Sequence, residues 1–308
     1  MPDGDRRGDF CWARDDSNDQ MRCGFKRCGY SMVAIFMQLS ARDIRKFQRL
    51  IYGYYQTNGR VLPWRTRATP YRVLVSEIML QQTQVDRATP FFKSFVRTFP
   101  TLRVLARASR RDVLAVWQGL GYNRRALYLW QCAQVIIKEH GGRVPSSPEA
   151  LGKLPGIGPA TAASIAAFAY DVPAVFIETN VRSVFIHHFF PRARRVSDAR
   201  IFPLVEQTLD RTHPARWYSA LMDYGTFLKK TNKNPSRKSA HHVRQKPFAG
   251  SQRQLRGMFV AFVIKRGSAT LAELAAHAAG QDHEAVIAAA NGLVAEGLLE
   301  KRKGRYFA

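Results

Sequence analysis

Long apolar runs, acidic residues and cysteine are what this chain of 308 residues has least of. No stretch approaches the ~20 consecutive apolar residues that a helix needs to cross a bilayer, so no membrane span is expected. Asp and Glu number 23 against 48 Lys and Arg, a formal net charge of +25. Such an imbalance sets up a positive field that attracts polyanions and speeds encounter with them. Nucleic acid fits best and an anionic membrane surface less well, although a GC-rich genome that inflates Arg would leave the same mark. Of the four cysteines, Cys11, Cys23 and Cys28 sit in an irregular N-terminal tail and Cys132 in a helical segment. That spacing implies no disulfide framework and fits the reducing cytoplasm. A Cys23–Cys28 pair lacks the second pair of ligands that a metal site needs, so no metal is expected. Runs of alternating apolar and polar residues are also missing before residue 255, which argues against a sheet in the main body.

What is present is helical. Residues 1–36 mix Asp, Arg, Gly and Cys without a period and read as disordered; with residues 37–39 they are expected to form an extension outside the fold. The run Ser31–Phe36 is too short for a secretion signal, and translation starting at Met37 is the expectation, because helical patterning begins just after it. Ser40 can cap a helix whose Ile44, Phe47, Leu50, Ile51 and Tyr54 share a face. A loop over Gly59 to Pro70 precedes a helix carrying Leu74, Val75, Ile78 and Met79. Further helices are expected near 90–98, 111–117, 124–139, 147–153 and 159–169, separated by Gly and Pro punctuation. Residues 229–254 read as a basic linker, including Lys229, Lys230, Arg237, Lys238 and Arg244, which either follows a phosphate backbone or stays solvated. Residues 255–308 then read as a small α+β unit. Leu271, Leu274 and Ala275 mark one helix and Val286 to Val294 a second, with short strands at Leu298-Leu299 and Tyr306-Phe307 around Lys303-Gly304. That order suggests a winged helix. Its second helix is Ala-rich and not basic, so packing or a protein contact is as plausible there as base reading. The main body is therefore all-α.

Leu154-Pro155-Gly156-Ile157-Gly158 falls between two of the expected helices, with Pro159 suited to a first helical position. Gly156 and Gly158 let the backbone turn tightly and expose consecutive N–H groups. Those groups, with the positive end of the next helix, can hold a DNA phosphate. The pattern resembles the helix-hairpin-helix of the DNA glycosylase superfamily that includes endonuclease III and MutY. Leu62-Pro63-Trp64-Arg65, Pro70-Tyr71 and the run Ser76-Glu77-Ile78-Met79-Leu80-Gln81-Gln82-Thr83-Gln84-Val85 narrow the resemblance to MutY-type adenine glycosylases. Trp117-Gln118-Gly119-Leu120-Gly121-Tyr122 and Asn180-Val181-Arg182 continue it in the same order, from about residue 42 to about 228.

The resemblance implies a two-lobed helical glycosylase domain over 40–228, the hairpin lobe spanning about 65–176 and the flanks forming the second lobe, with the base pocket in the cleft. It implies a monofunctional base-excision enzyme that hydrolyses the N-glycosidic bond of a flipped-out base, adenine opposite 8-oxoguanine or G. Breaking that bond needs a proton on the departing purine and stabilisation of a positive sugar, which two carboxyl groups in different protonation states can supply. Glu77 would protonate the purine N7. Glu178 would stabilise the sugar, with Asn180 orienting it or the attacking water; a plain helix-capping Glu is the other reading. Gln81, Gln82 and Tyr122 match the family's wedge and opposite-base contacts, and Trp64, Gly156, Gly158 and Arg182 complete the expected DNA contacts. His187-His188 point in different directions on a helix and make poor co-ligands.

Four departures qualify the match. The short winged-helix-like unit stands where MutY-type enzymes carry a C-terminal domain that recognises 8-oxoguanine, which leaves the opposite-base preference open. Glu178-Thr179 stands where the family has Asp-Gly. Ala160 occupies the place of the Lys with which bifunctional relatives form a Schiff base, so strong β-lyase activity is not expected. Lys229 stands at the first ligand position of the family's four-cysteine iron–sulfur loop and no cysteine follows, so no cofactor is expected. The implied partner is double-stranded DNA with a mispaired or damaged base, handled by a monomer in the cytoplasm, beside the nucleoid in a bacterium. Two other readings stay open, a T/U glycosylase acting opposite G and a DNA-binding adaptor with a decayed pocket.

Overall fold

In the computed structural model, which describes residues 38–243, 247–248, 250–278 and 280–308, Ser40 opens the first helix. Its hydroxyl accepts a hydrogen bond from the Asp43 amide at 3.1 Å, satisfying one of the donors that a helix start leaves open. The helix, α1 (Ala41–Asn58), buries Phe47 and Ile51. Leu50, expected on that face, is instead 46% exposed; Phe47 and Ile51 carry the burial, with Phe47 packed edge-on against Phe185 and Trp217. The expected disorder of residues 1–36, the start at Met37, Cys11, Cys23, Cys28 and Arg244 all lie outside the described residues.

The hairpin lobe is built from α2 (Pro63–Thr66), α3 (Pro70–Leu80), α4 (Val85–Thr98), α5 (Leu102–Arg107), α6 (Arg110–Trp117), α7 (Arg124–Glu139), α8 (Pro148–Leu151) and α9 (Pro159–Tyr170). α2 interrupts the stretch expected as loop, started by Pro63 with its fixed φ. α4 begins five residues before Pro90, where its helix was expected to start. Pro90 and Asp86 are both exposed, so the carbonyl that Pro90 cannot bond faces water and the helix tolerates it. Between α8 and α9, Gly156 has φ +71°, and a Cβ there would lie 2.4 Å from the Tyr128 ring. The turn therefore requires glycine for both its conformation and its close approach.

The second lobe draws α1 from before the hairpin lobe and α10 (Thr179–Phe189), α11 (Asp198–Thr208) and α12 (Pro214–Thr231) from after it. Its core is aromatic, with Phe47, Phe185, Trp217 and Tyr218 buried together. Buried Asp223 ties this lobe to the first: its carboxylate accepts from Arg60 Nε at 2.7 Å and from Arg65 Nη1 and Nη2 at 2.9 and 3.0 Å. Two guanidinium forks around one desolvated carboxylate fix the entry to α2 against α12.

The stretch expected as a basic linker is partly folded. α12 continues to Thr231, and Pro235–Lys238 form a 3₁₀ turn. Val196 brackets that turn, donating to the Lys238 carbonyl and accepting from the Ala240 amide, each at 2.8 Å. Pro235 and Ser236 are buried, a packing role that charge counting along the sequence does not reveal. The C-terminal unit adds α13 (Gln252–Arg266), β1 (Ala269–Thr270), α14 (Leu271–His277), α15 (His283–Ala295), β2 (Glu300–Arg302) and β3 (Arg305–Phe307). The strands form an antiparallel sheet in the order β1-β3-β2. Leu298 and Leu299, expected in a strand, are buried in the turn before β2, both amides donating to the Leu293 carbonyl. α15 spends its apolar face on packing, with Val286, Ala289, Ala290 and Leu293 buried. Leu255, Phe259, Val260 and Val263 of α13 continue the hairpin lobe's core, and Arg110 pins the unit with a hydrogen bond to the Gly297 carbonyl and an ion pair to Glu300 at 2.9 Å. The architecture is thus all-α and two-lobed with a small α+β unit at the C-terminus. No described helix is long and apolar enough to cross a membrane.

Candidate active site

α3 is apolar nearly all round, with Tyr71, Val73, Leu74, Val75, Ile78 and Met79 buried, which places its one acid in a poorly hydrated setting. α9 lies against it and is built from small residues, Ala162, Ala163, Ser164, Ala166 and Ala167, so the two helices close tightly. Across that contact the Ser164 hydroxyl donates to Glu77 Oε2 at 2.6 Å and also lies 3.0 Å from the Thr161 carbonyl. One hydroxyl can therefore serve both states of the acid. It donates to the carboxylate, or it accepts from the carboxylic acid while donating to Thr161. Burial pushes the Glu77 pKa up to about 7, against the lowering effect of Ser164, and the negative charge of Glu178 raises it further. Ser164→Ala is expected to move the Glu77 titration to still higher pH, because the bond it removes favours the ionised form. Carbon-13 titration of the side-chain carboxyl measures this, and an unchanged or lower midpoint would contradict it.

Glu77 lines a cavity of about 770 Å³ that also takes in Trp64, Gln81, Gln82, Glu178 and Asn180. Glu178 is the N-cap of α10. Its Oε1 accepts from the amides of Asn180 and Val181 at 2.7 and 2.9 Å, and its Oε2 accepts from Asn180 Nδ2 at 3.1 Å. Capping and facing the cavity are thus compatible, since the cap fixes the carboxylate that the cavity meets. Asn180 is held in turn by the Thr226 hydroxyl, which donates to its Oδ1 at 3.3 Å. The backbone of Asn180 lies so near α12 that a Cβ on Gly225 would come within 2.5 Å of it. Only glycine permits that approach.

Of the other expected contacts, Trp64, Gln81 and Gln82 line this cavity, and Tyr122 is not among its lining residues. Trp64 is 7% exposed and packs edge-on against Phe92, so it is a core residue with one edge on the cavity. Gln81 donates to the Thr161 hydroxyl at 3.3 Å. Gln82 and Tyr122 both take left-handed backbone conformations, φ 54° and 51°, which side-chain-bearing residues adopt at a cost of about 1 kcal/mol or more. Arg125 holds the two turns that carry them. From one buried guanidinium it donates to the carbonyls of Ile78 and Met79 at 2.9 and 2.8 Å and of Gly121 at 3.2 Å. It also bonds the Gln81 carbonyl and the Thr83 hydroxyl, and lies over the Tyr122 ring. Arg125→Met would strand these acceptors and is expected to cost about 3 kcal/mol. Urea unfolding measures it, and a loss below about 1 kcal/mol would contradict the role given to this residue.

Gly156 and Gly158 sit apart from the cavity on the hairpin, and Gly158 caps α9 with open space around it. Arg182 does not join the group. Its Nε and Nη2 are both committed to Asp198 at 2.7 Å, binding α10 to α11. His188 is likewise a packing residue, stacked on Tyr224 and 3.1 Å from its hydroxyl, with burial lowering its pKa to about 4. Sequence reasoning missed Ser164, Arg125 and Thr226, and it read Lys229 as part of a basic linker, whereas Lys229 lines the cavity from α12. Arg253 of α13, whose Nη1 lies 3.1 Å from the Tyr122 hydroxyl, was missed as well.

Residues 75–204 match the family model described as HhH-GPD superfamily base excision DNA repair protein. The chain is 34% identical over 194 residues to the adenine DNA glycosylase of Buchnera aphidicola subsp. Schizaphis graminum, covering 61% of this chain and 55% of that protein. It is 37% identical over 181 residues to the adenine DNA glycosylase of Mycolicibacterium smegmatis, covering 58% and 61%. The matched region spans 55% and 61% of the length of these two relatives, less than two thirds of either. Among solved structures, a thermostable thymine-DNA glycosylase superposes with a TM-score of 0.55 at 22% identity, over 63% of this chain and 91% of that one; that likeness concerns the fold alone.

Proposed function

We propose, from the premise that residues 75–204 form an HhH-GPD segment, that this chain hydrolyses the N-glycosidic bond of a base flipped out of duplex DNA. The base is adenine, as the names of the matched relatives indicate, and the base opposite it is 8-oxoguanine or guanine, as the resemblance to MutY-type enzymes implies. The observation that carries the reading is a pair of carboxyl groups in unlike settings on one cavity. Glu77 is pushed up to about 7, while Glu178 is bound by two backbone amides and Asn180.

An acid poised near neutrality is half protonated at working pH and suits general acid catalysis. Glu77 protonates N7 of the purine, so the base departs neutral and its electrons leave with it. Positive charge then develops on the sugar. Glu178, acceptor-only and pinned by its cap, faces that charge without reorganising. Asn180 orients the carboxylate or the attacking water. Gln81, Gln82 and Tyr122 fill the space that the base vacates and hold the opposite strand. The amides around Gly156 and Gly158 and the start of α9 take a phosphate, and the +25 charge steers the encounter.

Labelled duplexes carrying A opposite 8-oxoguanine, G or C, and T or U opposite G, test the reading by strand scission after alkali. Scission at A that depends on added alkali is the expected outcome. Scission confined to T or U would overturn the substrate, and tight binding with no scission anywhere would turn the chain into an adaptor.

A further inference from the structure

We propose that Lys229 gives the cavity a second reaction, the capture of an abasic-site aldehyde as an imine. The inference rests on the reading above only in taking the cavity to hold a deoxyribose.

Ser219, Met222, Thr226 and Lys229 line the cavity from α12, at spacings of three and four that keep them on one helix face. Thr226 anchors that face to Asn180 at 3.3 Å, beside the Glu178 cap. Lys229 is therefore one turn along from the residue that touches the candidate catalytic helix. Lys230 also lines the cavity but is exposed, and the arginines that line it are engaged. Arg60 and Arg65 are locked on Asp223, and Arg216 lies over the Tyr52 ring. Among the described residues the Lys229 amine makes no hydrogen bond or ion pair, although it is partly buried. Burial draws its pKa below the ordinary lysine range, the charge of Glu178 opposing this and that of Arg60 adding to it. A desolvated lysine with a neighbouring cation is the usual form of an imine-forming amine. α9 offers none on the other wall, where Pro159, Ala160 and Thr161 open the helix.

An abasic deoxyribose in its ring-opened form carries an aldehyde at C1′. The neutral Nζ adds to that carbon, the carbinolamine loses the former carbonyl oxygen as water, and a C=N bond remains. Amine and aldehyde give imine and water, with no net oxidation. Captured in this way, the abasic product is held in the cavity.

The full chain would be mixed with a duplex containing a preformed abasic site and treated with sodium borohydride, whose hydride converts the imine to a stable secondary amine. The expected result is a covalent protein–DNA adduct that peptide mass mapping places on Lys229. Lys229→Arg is expected to lower the adduct at least tenfold, while Lys230→Arg leaves it. No adduct, or an adduct mapped to another amine, would overturn the inference, and mapping on the wild type decides this even if a variant misfolds. Because the abasic site is supplied ready-made, the two readings fail separately. Base release without adduct defeats this one alone, and adduct without base release defeats only the glycosylase.

Discussion

Glu77→Gln is expected to lower the single-turnover rate of base release by about a thousandfold while duplex affinity stays within a few-fold of wild type. The substitution keeps the side chain's length and its hydrogen bond to Ser164, so little packing is lost. What it removes is the proton, and a general acid is worth roughly 10²–10⁴ in rate. The pH dependence carries the same logic with a definite sign. The active form is the protonated one, so kcat/KM is expected to be flat below the Glu77 midpoint of about 7 and to fall tenfold per pH unit above it. At pH 9 the rate would then be ~100-fold below its plateau. A profile that rises through this range would mean that the ionised Glu77 is the working form.

Glu178→Gln is expected to cost about a hundredfold in the same rate. This variant separates two roles that the structure superimposes. A glutamine oxygen still accepts from the Asn180 and Val181 amides, so the α10 cap survives, and the Asn180 amide turns over to present its oxygen to the new NH₂. Thermal stability should fall by no more than a capping residue is worth, about 1 kcal/mol. Only the negative charge facing the sugar is gone. If base release persists near the wild-type rate, Glu178 is a cap and nothing more. The cap fixes where the Glu178 carboxylate sits.

What the sequence made legible was whatever repeats with the helix or depends on a special residue. The Phe47–Ile51 seam, the Pro159 start of α9 and the glycine of the hairpin turn all follow from local rules. Glu77 drew notice through the Ser76–Val85 motif that carries the family resemblance, and the structure adds that it lies on a helix of buried aliphatics. Partnerships across long chain separations were not legible. Asp223 meets Arg60 from 163 residues away, and no period announces it. Ser164 hides in a helix buried on most sides, where a serine reads as one more small residue. Arg125 sits in an amphipathic helix where Arg ordinarily faces solvent, and only the fold shows it turned inward to three carbonyls of the α3 end. Arg182 has a partner that its motif does not announce. Its motif position pointed to DNA, and the structure pairs it with Asp198. The basic run after α12 reads as linker by composition, yet its Pro235–Lys238 turn packs beside Val196.

The most direct test of the central claim is the release of free adenine, by chromatography, from a single-turnover reaction on an A:8-oxoguanine duplex, wild type beside Glu77→Gln. Wild type should release one adenine per duplex and leave a site that only alkali cleaves, with Glu77→Gln about a thousandfold slower at equal binding. Equal rates for the two proteins, or saturated binding with no adenine released by either, would contradict the account.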